Sequence, residues 1–135
     1  MTENDDDNPS RRTFDKRDRV RGHDSFDDVF AQGTRAASNA MLVLVARNDA
    51  RIARIGISVG RKYGDSPRRN RAKRLLREAF RLHRAELDPN YDYVVVPRSE
   101  LPADLDGVAR EFLRLAAKAT ATAAKRPAPE SRPRP

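Results

Sequence analysis

The sequence predicts a two-layer α/β (α+β) sandwich, in which helices pack on a small sheet of about four strands. Two observations support this fold class. Short runs rich in valine, leucine and isoleucine alternate along the chain with longer segments of helical period. Taken in order, these segments read helix, strand, strand, helix, strand, helix, with room for one further strand before the first run.

The two ends of the chain differ in composition from its middle. The first ten residues carry four acids and no base, and the last eleven are basic and contain four prolines. Segments with so little apolar surface cannot offset the entropy of ordering the chain. We therefore predict disordered tails over residues 1–16 and 123–135, and one folded domain over residues 17–122.

A short helix is predicted as the first element. Three of its apolar residues are spaced to share one face: Phe26, Val29 and Phe30. The helix is expected to begin near Asp24 or Ser25, because either side chain can cap its first turn. Gly33 is placed to end it, since glycine readily takes the backbone conformation that closes a helix.

Four segments have the composition of strands. Met41–Ala46 is an unbroken apolar run, and Arg54–Gly60 alternates between large and small residues. The link between them is short, so we expect these two strands to form an antiparallel hairpin. Another strand is predicted over Tyr91–Val96, closed by Pro97, and the extra strand would lie around Arg35–Ala40.

Two longer helices complete the predicted order. The first runs from about Asn70 to Leu87, after a loop that contains Pro67, and Pro89 stops it. Its buried stripe is expected to be Ala72, Leu75, Leu76, Ala79, Phe80 and Leu87. The last helix begins near Asp104, and its apolar residues recur every three or four positions.

The charge balance points to a polyanionic partner. The formal net charge is +8, and because the first ten residues contribute −4, the remaining chain carries +12. A domain this basic repels itself unless a polyanion neutralises it, so nucleic acid is the expected partner. No membrane partner is expected, since neither a long apolar run nor a lipidation signal is present. The lack of cysteine and of an N-terminal apolar stretch predicts a cytoplasmic protein.

Positive charge is densest over residues 68–84, where eight basic residues stand against one acid, Glu78. Like charges four residues apart destabilise a helix, so a row with so little compensation indicates a binding face rather than a solvated surface. Arg61 and Lys62 would extend this face, and the helix start would add backbone N–H groups for an anion. The predicted row consists of Lys73, Arg77 and Arg81.

Groups for hydrolysis by the protein itself are not recognisable. Such chemistry needs a nucleophile, a general base or a metal cage. The only histidines are His23 and His83, and neither stands in such a set. The acids Asp24, Asp27 and Asp28 are better explained by their favourable position at a helix start than by a metal site. We therefore predict no catalytic residue and no metal ligand in the protein.

Two neighbouring segments give the chain a resemblance to the bacterial ribonuclease P protein family. Residues 69–81 read RNRAKRLLREAFR, and the strand and loop before them, residues 55–64, read IGISVGRKYG. The first helix and Tyr91–Arg98 are also similar to that family, and the resemblance covers roughly residues 17–118. It implies an α/β sandwich whose crossover through the basic helix is left-handed, against the usual hand.

The resemblance implies two sets of binding residues. In the family, the basic helix contacts the catalytic RNA, and a cleft between the first helix and the sheet holds the single-stranded 5′ leader of precursor tRNA. Where many members have aromatic residues on the strand that forms the floor of this cleft, the chain has Met41 and Leu44. The residues implied for the leader are Phe26, Phe30, Leu42 and Leu44. The residues implied for the catalytic RNA are Arg61, Lys62, Arg68, Arg69, Asn70, Arg71, Lys73, Arg74 and Arg77.

The resemblance also implies the division of labour. The protein would bind ribonuclease P RNA and precursor tRNA as a monomer, one copy per RNA, and the RNA would carry catalysis. No cofactor is expected on the protein alone, because Mg²⁺ acts with the RNA subunit. A structural RNA-binding protein of ribosomal or chaperone type is the alternative, and it would show the same basic face without a preference for a leader. A free-standing nuclease is disfavoured by the missing acid–base set.

Overall fold

The computed structural model describes residues 29–30, 33–48, 51–99, 101–102 and 104–125. The described part contains a four-stranded sheet and two long helices, which confirms the predicted fold class. Val29 and Phe30 are helical, and short 3₁₀ turns span Arg61–Tyr63 and Arg84–Glu86. The main elements in chain order are β1 (Thr34–Ala37), β2 (Met41–Arg47), β3 (Arg54–Ile57), α1 (Ser66–His83), β4 (Tyr91–Pro97) and α2 (Leu105–Ala124).

The sheet has the strand order β1-β2-β4-β3, so the predicted hairpin between the second and third strands is wrong. β4 lies between them, antiparallel to β2 and parallel to β3, with Val95 opposite both Val43 and Ile57. The reason lies in β4 itself, where Val94 and Val95 are both fully buried although they point to opposite faces. A strand that is apolar on both faces belongs in the middle of a sheet, and a short link does not compel its two strands to pair.

The true hairpin joins β1 to β2. The extra strand predicted over residues 35–40 is present but shorter and earlier, at Thr34–Ala37. The Ser38 hydroxyl accepts hydrogen bonds from the backbone N–H groups of Ala40 (3.2 Å) and Met41 (3.4 Å). The backbone N–H of Ser38 donates to the Met41 carbonyl (2.9 Å), so this serine-centred turn closes the hairpin directly after β1.

The basic helix begins one turn earlier than predicted. Asp65 caps it by accepting a hydrogen bond from the backbone N–H of Arg68 (3.1 Å), and Pro67 lies in its first turn. Proline is favoured at this point of a helix because its missing N–H would have no helical partner. The helix was predicted to begin at about Asn70 because Pro67 was assigned to a loop, whereas it begins at Ser66. The strand before it likewise ends at Ile57 rather than at residue 60.

The last helix begins as predicted. The Asp104 side chain accepts a hydrogen bond from the backbone N–H of Gly107 (3.0 Å) and caps α2. The helix continues past the predicted domain boundary at residue 122 as far as Ala124. Both predicted tails lie outside the described residues except at this helix end. Within the described ranges, neither helix is long and apolar enough to cross a membrane.

The main core lies between one face of the sheet and the two helices. Both α1 and α2 contribute fully buried aromatic rings, and Phe112 of α2 meets Tyr93 of β4 edge to face with ring centroids 6.3 Å apart. A smaller cluster on the other face of the sheet joins Val29 to Leu44 and Val94. The sheet is therefore covered by α1 and α2 on one side, and is contacted by the segment that holds Val29 on the other.

Candidate nucleic-acid interface

The loop that leads into α1 is closely packed. The Arg68 guanidinium lies over the Tyr63 ring, 5.4 Å from its centroid. Gly64 has a φ of +156°, and a Cβ at this position would lie 2.9 Å from Cδ of Arg68. Glycine is therefore required here for both its backbone conformation and its lack of a side chain.

Arg69 closes the same loop from the helix side. Its Nη1 donates to the Gly64 carbonyl (2.8 Å) and its Nη2 donates to the Ser66 hydroxyl (3.1 Å). The predicted supply of N–H groups at the helix start is reduced, because Asp65 takes the one on Arg68 and Pro67 has none. Arg69 is thus committed in part to shaping the loop that presents its neighbours.

The body of α1 divides into an apolar and a basic side. Ala72, Leu76, Ala79 and Phe80 are buried as predicted, and Leu75 is half-buried. Arg71 and Arg74 are exposed with Asn70, while Lys73 and Arg77 are half-exposed. We define the cationic surface by the following seven residues: Arg61, Lys62, Arg68, Arg71, Lys73, Arg74 and Arg77.

The predicted basic row is shortened at its C-terminal end. Arg81 forms a two-pronged ion pair with Glu78, in which its Nε lies 3.1 Å from Oε1. The hydrogen bond from Arg81 lowers the pKa of the Glu78 carboxyl below its ordinary value. Arg84 lies over the Phe80 ring, 5.1 Å from its centroid. The outward charge of the helix is therefore concentrated in its first three turns.

The second candidate surface is the face of the sheet opposite α1 and α2. Phe30 is 39% exposed, an unusual value for a large apolar side chain, and Leu42 is half-exposed. Leu44 is fully buried beneath Val29, so it supports this surface from below rather than lying on it. Met41 points to the other side, into the main core. We define the apolar sheet face by its partly exposed residues: Phe30, Leu42, Ala46 and Val96.

Phe26 lies outside the described residues, whereas Val29, Phe30 and Gly33 are described. The backbone N–H of Gly33 donates to the Val29 carbonyl (2.7 Å). A Cβ at Gly33 would lie 2.4 Å from that same oxygen, so a side chain has no room at this position.

Two arginines on the apolar sheet face were missed by the sequence analysis. Arg35 is exposed on β1 and lies opposite Leu44 in the strand register. Arg54 of β3 is held by Asp92 of β4, whose two carboxylate oxygens each accept a 2.8 Å hydrogen bond from its guanidinium. Asn48 donates to the same carboxylate at 2.8 Å. The alternation of residues 34–37 could have indicated that Arg35 is exposed on the sheet. The position of Arg54 could not be predicted in this way, because it depends on a partner 38 residues away.

Metal-binding geometry is not found in the part of the chain that the structure describes, where no group of three or more His, Asp or Glu side chains could hold an ion. His83 is partly exposed, and its Nδ1 lies 2.7 Å from the Glu86 carboxylate. His23 and the acids at 24, 27 and 28 lie outside the described residues.

A small α/β domain with a cationic helix on one side and an exposed aromatic ring on the other belongs to the class of single-domain RNA-binding proteins. The family model described as ribonuclease P matches residues 14–120. The ribonuclease P protein component of Petrotoga mobilis is 34% identical over 97 residues, which make up 72% of this chain and 82% of that protein. The one from Natranaerobius thermophilus is 39% identical over 94 residues, or 69% and 82% of the two chains.

Solved structures agree with these matches. The ribonuclease P protein of Thermotoga maritima superposes with a TM-score of 0.68 at 32% identity, covering 74% of this chain and 96% of that one. The Staphylococcus aureus protein gives a TM-score of 0.61 at 26% identity, covering 78% and 94%. The chain therefore belongs to the family of ribonuclease P protein components, the protein subunits that serve in tRNA 5′ processing.

Proposed function

We propose that the protein binds ribonuclease P RNA through the cationic surface and the 5′ leader of precursor tRNA through the apolar sheet face, and so aids removal of the leader. In this proposal the RNA subunit carries catalysis, and the protein acts in the bacterial cytoplasm as a monomer, one copy per RNA. The observation that carries the proposal is the cationic surface, because the eight basic residues against one acid over residues 68–84 make this side of the protein attractive to a polyanion.

The distribution of charge on α1 supports contact with structured RNA. Lys73 and Arg77 are four residues apart on the helix, and Arg74 is exposed beside them. Spacing of this kind suits successive phosphates along a backbone, and each contact releases condensed counterions. The single acid of the helix, Glu78, forms an ion pair with Arg81, one turn beyond Arg77.

The opposite face supports contact with a single strand. Phe30 and Leu42 offer apolar surface on which unpaired bases can pack. Arg35 supplies positive charge for the phosphates beside that surface, whereas the charge of Arg54 is paired with Asp92. Since Leu44 is buried, the bases would contact Leu42 and Ala46 of β2, which are partly exposed on this face.

The hydrolytic chemistry is supplied by Mg²⁺ that the RNA holds. The protein's own contribution is substrate affinity and electrostatic relief, because its +8 charge lessens the repulsion between two polyanions. This relief matters most where Mg²⁺ is scarce, since divalent cations otherwise screen the same charges.

A cleavage assay at low Mg²⁺ tests the proposal. Precursor tRNA is incubated under multiple-turnover conditions with a bacterial ribonuclease P RNA, with that RNA plus this protein, and with the protein alone. Faster release of the leader only in the tube with both components is the expected result. No stimulation by folded protein would favour a structural RNA-binding role, and mature 5′ ends from the protein alone would overturn catalysis by RNA.

A further inference from the structure

A pocket of about 270 Å³ lies at the start of α1, between the 3₁₀ turn at Arg61–Tyr63 and the segment after β4. It is on the helix-covered side of the sheet, so it is separate from the apolar sheet face. Its lining combines one aromatic ring, two guanidinium groups and aliphatic carbon: Tyr63, Arg68, Arg71, Ala72, Leu75 and Leu101.

The walls of this pocket are held in place by contacts within the protein. The Tyr63 hydroxyl accepts a hydrogen bond from the backbone N–H of Leu101 (3.3 Å), which fixes the ring against the segment after β4. The Arg68 guanidinium lies over the same ring at 5.4 Å. Ala72 and Leu101 are buried and supply an apolar floor. A cavity built in this way keeps its shape before a ligand arrives, which lowers the entropic cost of binding.

Size and charge select the chemistry of the occupant. Pockets for drug-sized ligands occupy about 300–1,000 Å³, so this one suits a single planar ring system of the size of a nucleobase. Arginines on its rim favour an anionic neighbour, as the phosphates of a nucleotide would be. Asp65, the acid nearest in sequence, has its carboxylate in the cap of α1.

We infer that this pocket binds one unpaired nucleobase of the RNA partner, with the adjoining phosphates on Arg68 and Arg71. The inference rests on the proposed function, because it takes the cationic surface to be the RNA-binding side. The base must be unpaired, since a base within an A-form helix cannot leave the stack to enter a cavity at no cost. The pocket adds recognition of a single-stranded position to a surface that otherwise contacts only backbone.

The test compares Tyr63→Ala with Tyr63→Phe in the full-length protein. The probes are a fluorescent single-stranded oligoadenylate and a strand of the same length with abasic ribose at every position. Neither substitution changes the charge, so both variants should keep the salt dependence of binding of the wild type. We expect Tyr63→Phe to bind oligoadenylate nearly as the wild type does and Tyr63→Ala to lose about 5- to 100-fold, the range for one stacked base. For the abasic strand, the two variants should bind equally.

Two controls keep the result interpretable. Leu42→Ala on the opposite face should leave the difference between the two Tyr63 variants unchanged, and thermal melting must show both folded at the assay temperature. A 4-thiouridine oligonucleotide should also cross-link in wild-type protein to Tyr63 or its pocket neighbours. Equal affinities of the Tyr63 variants for oligoadenylate, or cross-links only elsewhere, would overturn the pocket alone. Binding without salt dependence would overturn the proposed function with it.

Discussion

The cationic surface and the apolar sheet face are built in opposite ways. On α1 the charged groups project from a helix whose other side is fixed in the main core, so the helix itself determines where they lie. On the sheet face, Val29 packs on Leu44 and Val94, and Arg54 is held by Asp92. The difference suits the two expected ligands, because phosphates attract charge over a broad area whereas bases need a surface of defined shape.

The largest effect is expected in the main core, because α1 and the sheet, which carry the two surfaces, both pack there. Phe112→Ala removes a fully buried ring that packs against Tyr93, so it should lower the free energy of unfolding by about 3–5 kcal/mol. Urea denaturation followed by circular dichroism measures this, with the half-buried Leu113→Ala as a milder comparison on the same helix. A loss below about 1 kcal/mol would contradict the central position of α2.

The next effect concerns the cationic surface alone. Lys73→Ala combined with Arg77→Ala should weaken binding to ribonuclease P RNA on the order of 100-fold, taking about 1.5 kcal/mol for each charged contact. The slope of log K against log salt should become shallower by about two. Arg110→Ala with Lys118→Ala removes the same charge from exposed positions of α2 and serves as the matched control. Equal losses in the two double variants would mean that net charge, not this surface, determines binding.

A smaller effect is expected where the sheet face depends on an ion pair. Asp92→Ala leaves Arg54 without its carboxylate, and Asp92 is 5% exposed. The loss should be about 2 kcal/mol, less than for a fully buried pair because the Arg54 side chain keeps 28% of its exposure. Glu86→Ala breaks an exposed pair with His83 and should cost under about 1 kcal/mol. Thermal unfolding that ranks these two variants in the reverse order would contradict the role of the ion pair.

The smallest effect is a pH dependence on α1. The pKa of Glu78 is lowered by the hydrogen bond from Arg81, so its folded value lies below the ordinary 4.5. The stabilisation by the pair is therefore fully present above that ordinary value, and it disappears as the pH falls through the lowered one. Glu78→Gln should be less stable than wild type at pH 7 by about 0.3–0.5 kcal/mol, as for other exposed helix pairs. The difference in stability between wild type and Glu78→Gln should disappear in acid. A difference that grew as the pH fell would contradict a lowered pKa for Glu78.

The two surfaces also differ in how far the sequence predicts them. The basic side of α1 follows from spacing along one helix. The residues predicted for its buried stripe are buried or half-buried, although Leu87 lies beyond the helix end at His83. The pairing of Glu78 with Arg81 is equally local, because the two residues are three apart on the helix. It was not predicted, and Arg81 was instead assigned to the basic row. Helix periodicity therefore predicts which residues lie on this surface. It did not predict where the helix begins, because Asp65 caps it and Pro67 lies in its first turn.

The sheet face was harder to predict because it depends on strand order. With β4 placed between β2 and β3, Val94 covers Leu44 from one side and Val29 covers it from another, so a residue expected at the surface is buried. The pair of Arg54 and Asp92 depends on the same insertion, since these residues are neighbours only in the parallel register of β3 and β4. A local pattern cannot specify contacts that are 38 residues apart.

Binding of precursor and mature tRNA to reconstituted holoenzyme tests most directly whether the two surfaces have separate ligands. The protein would be wild type, Phe30→Ala, or the Lys73→Ala and Arg77→Ala double variant, each first shown to be folded by thermal melting. We predict that Phe30→Ala weakens binding of precursor tRNA by about 5-fold or more and leaves mature tRNA unchanged. The double variant should instead weaken assembly with the RNA regardless of the leader. Equal loss of both tRNAs in Phe30→Ala would contradict a leader site on the apolar sheet face.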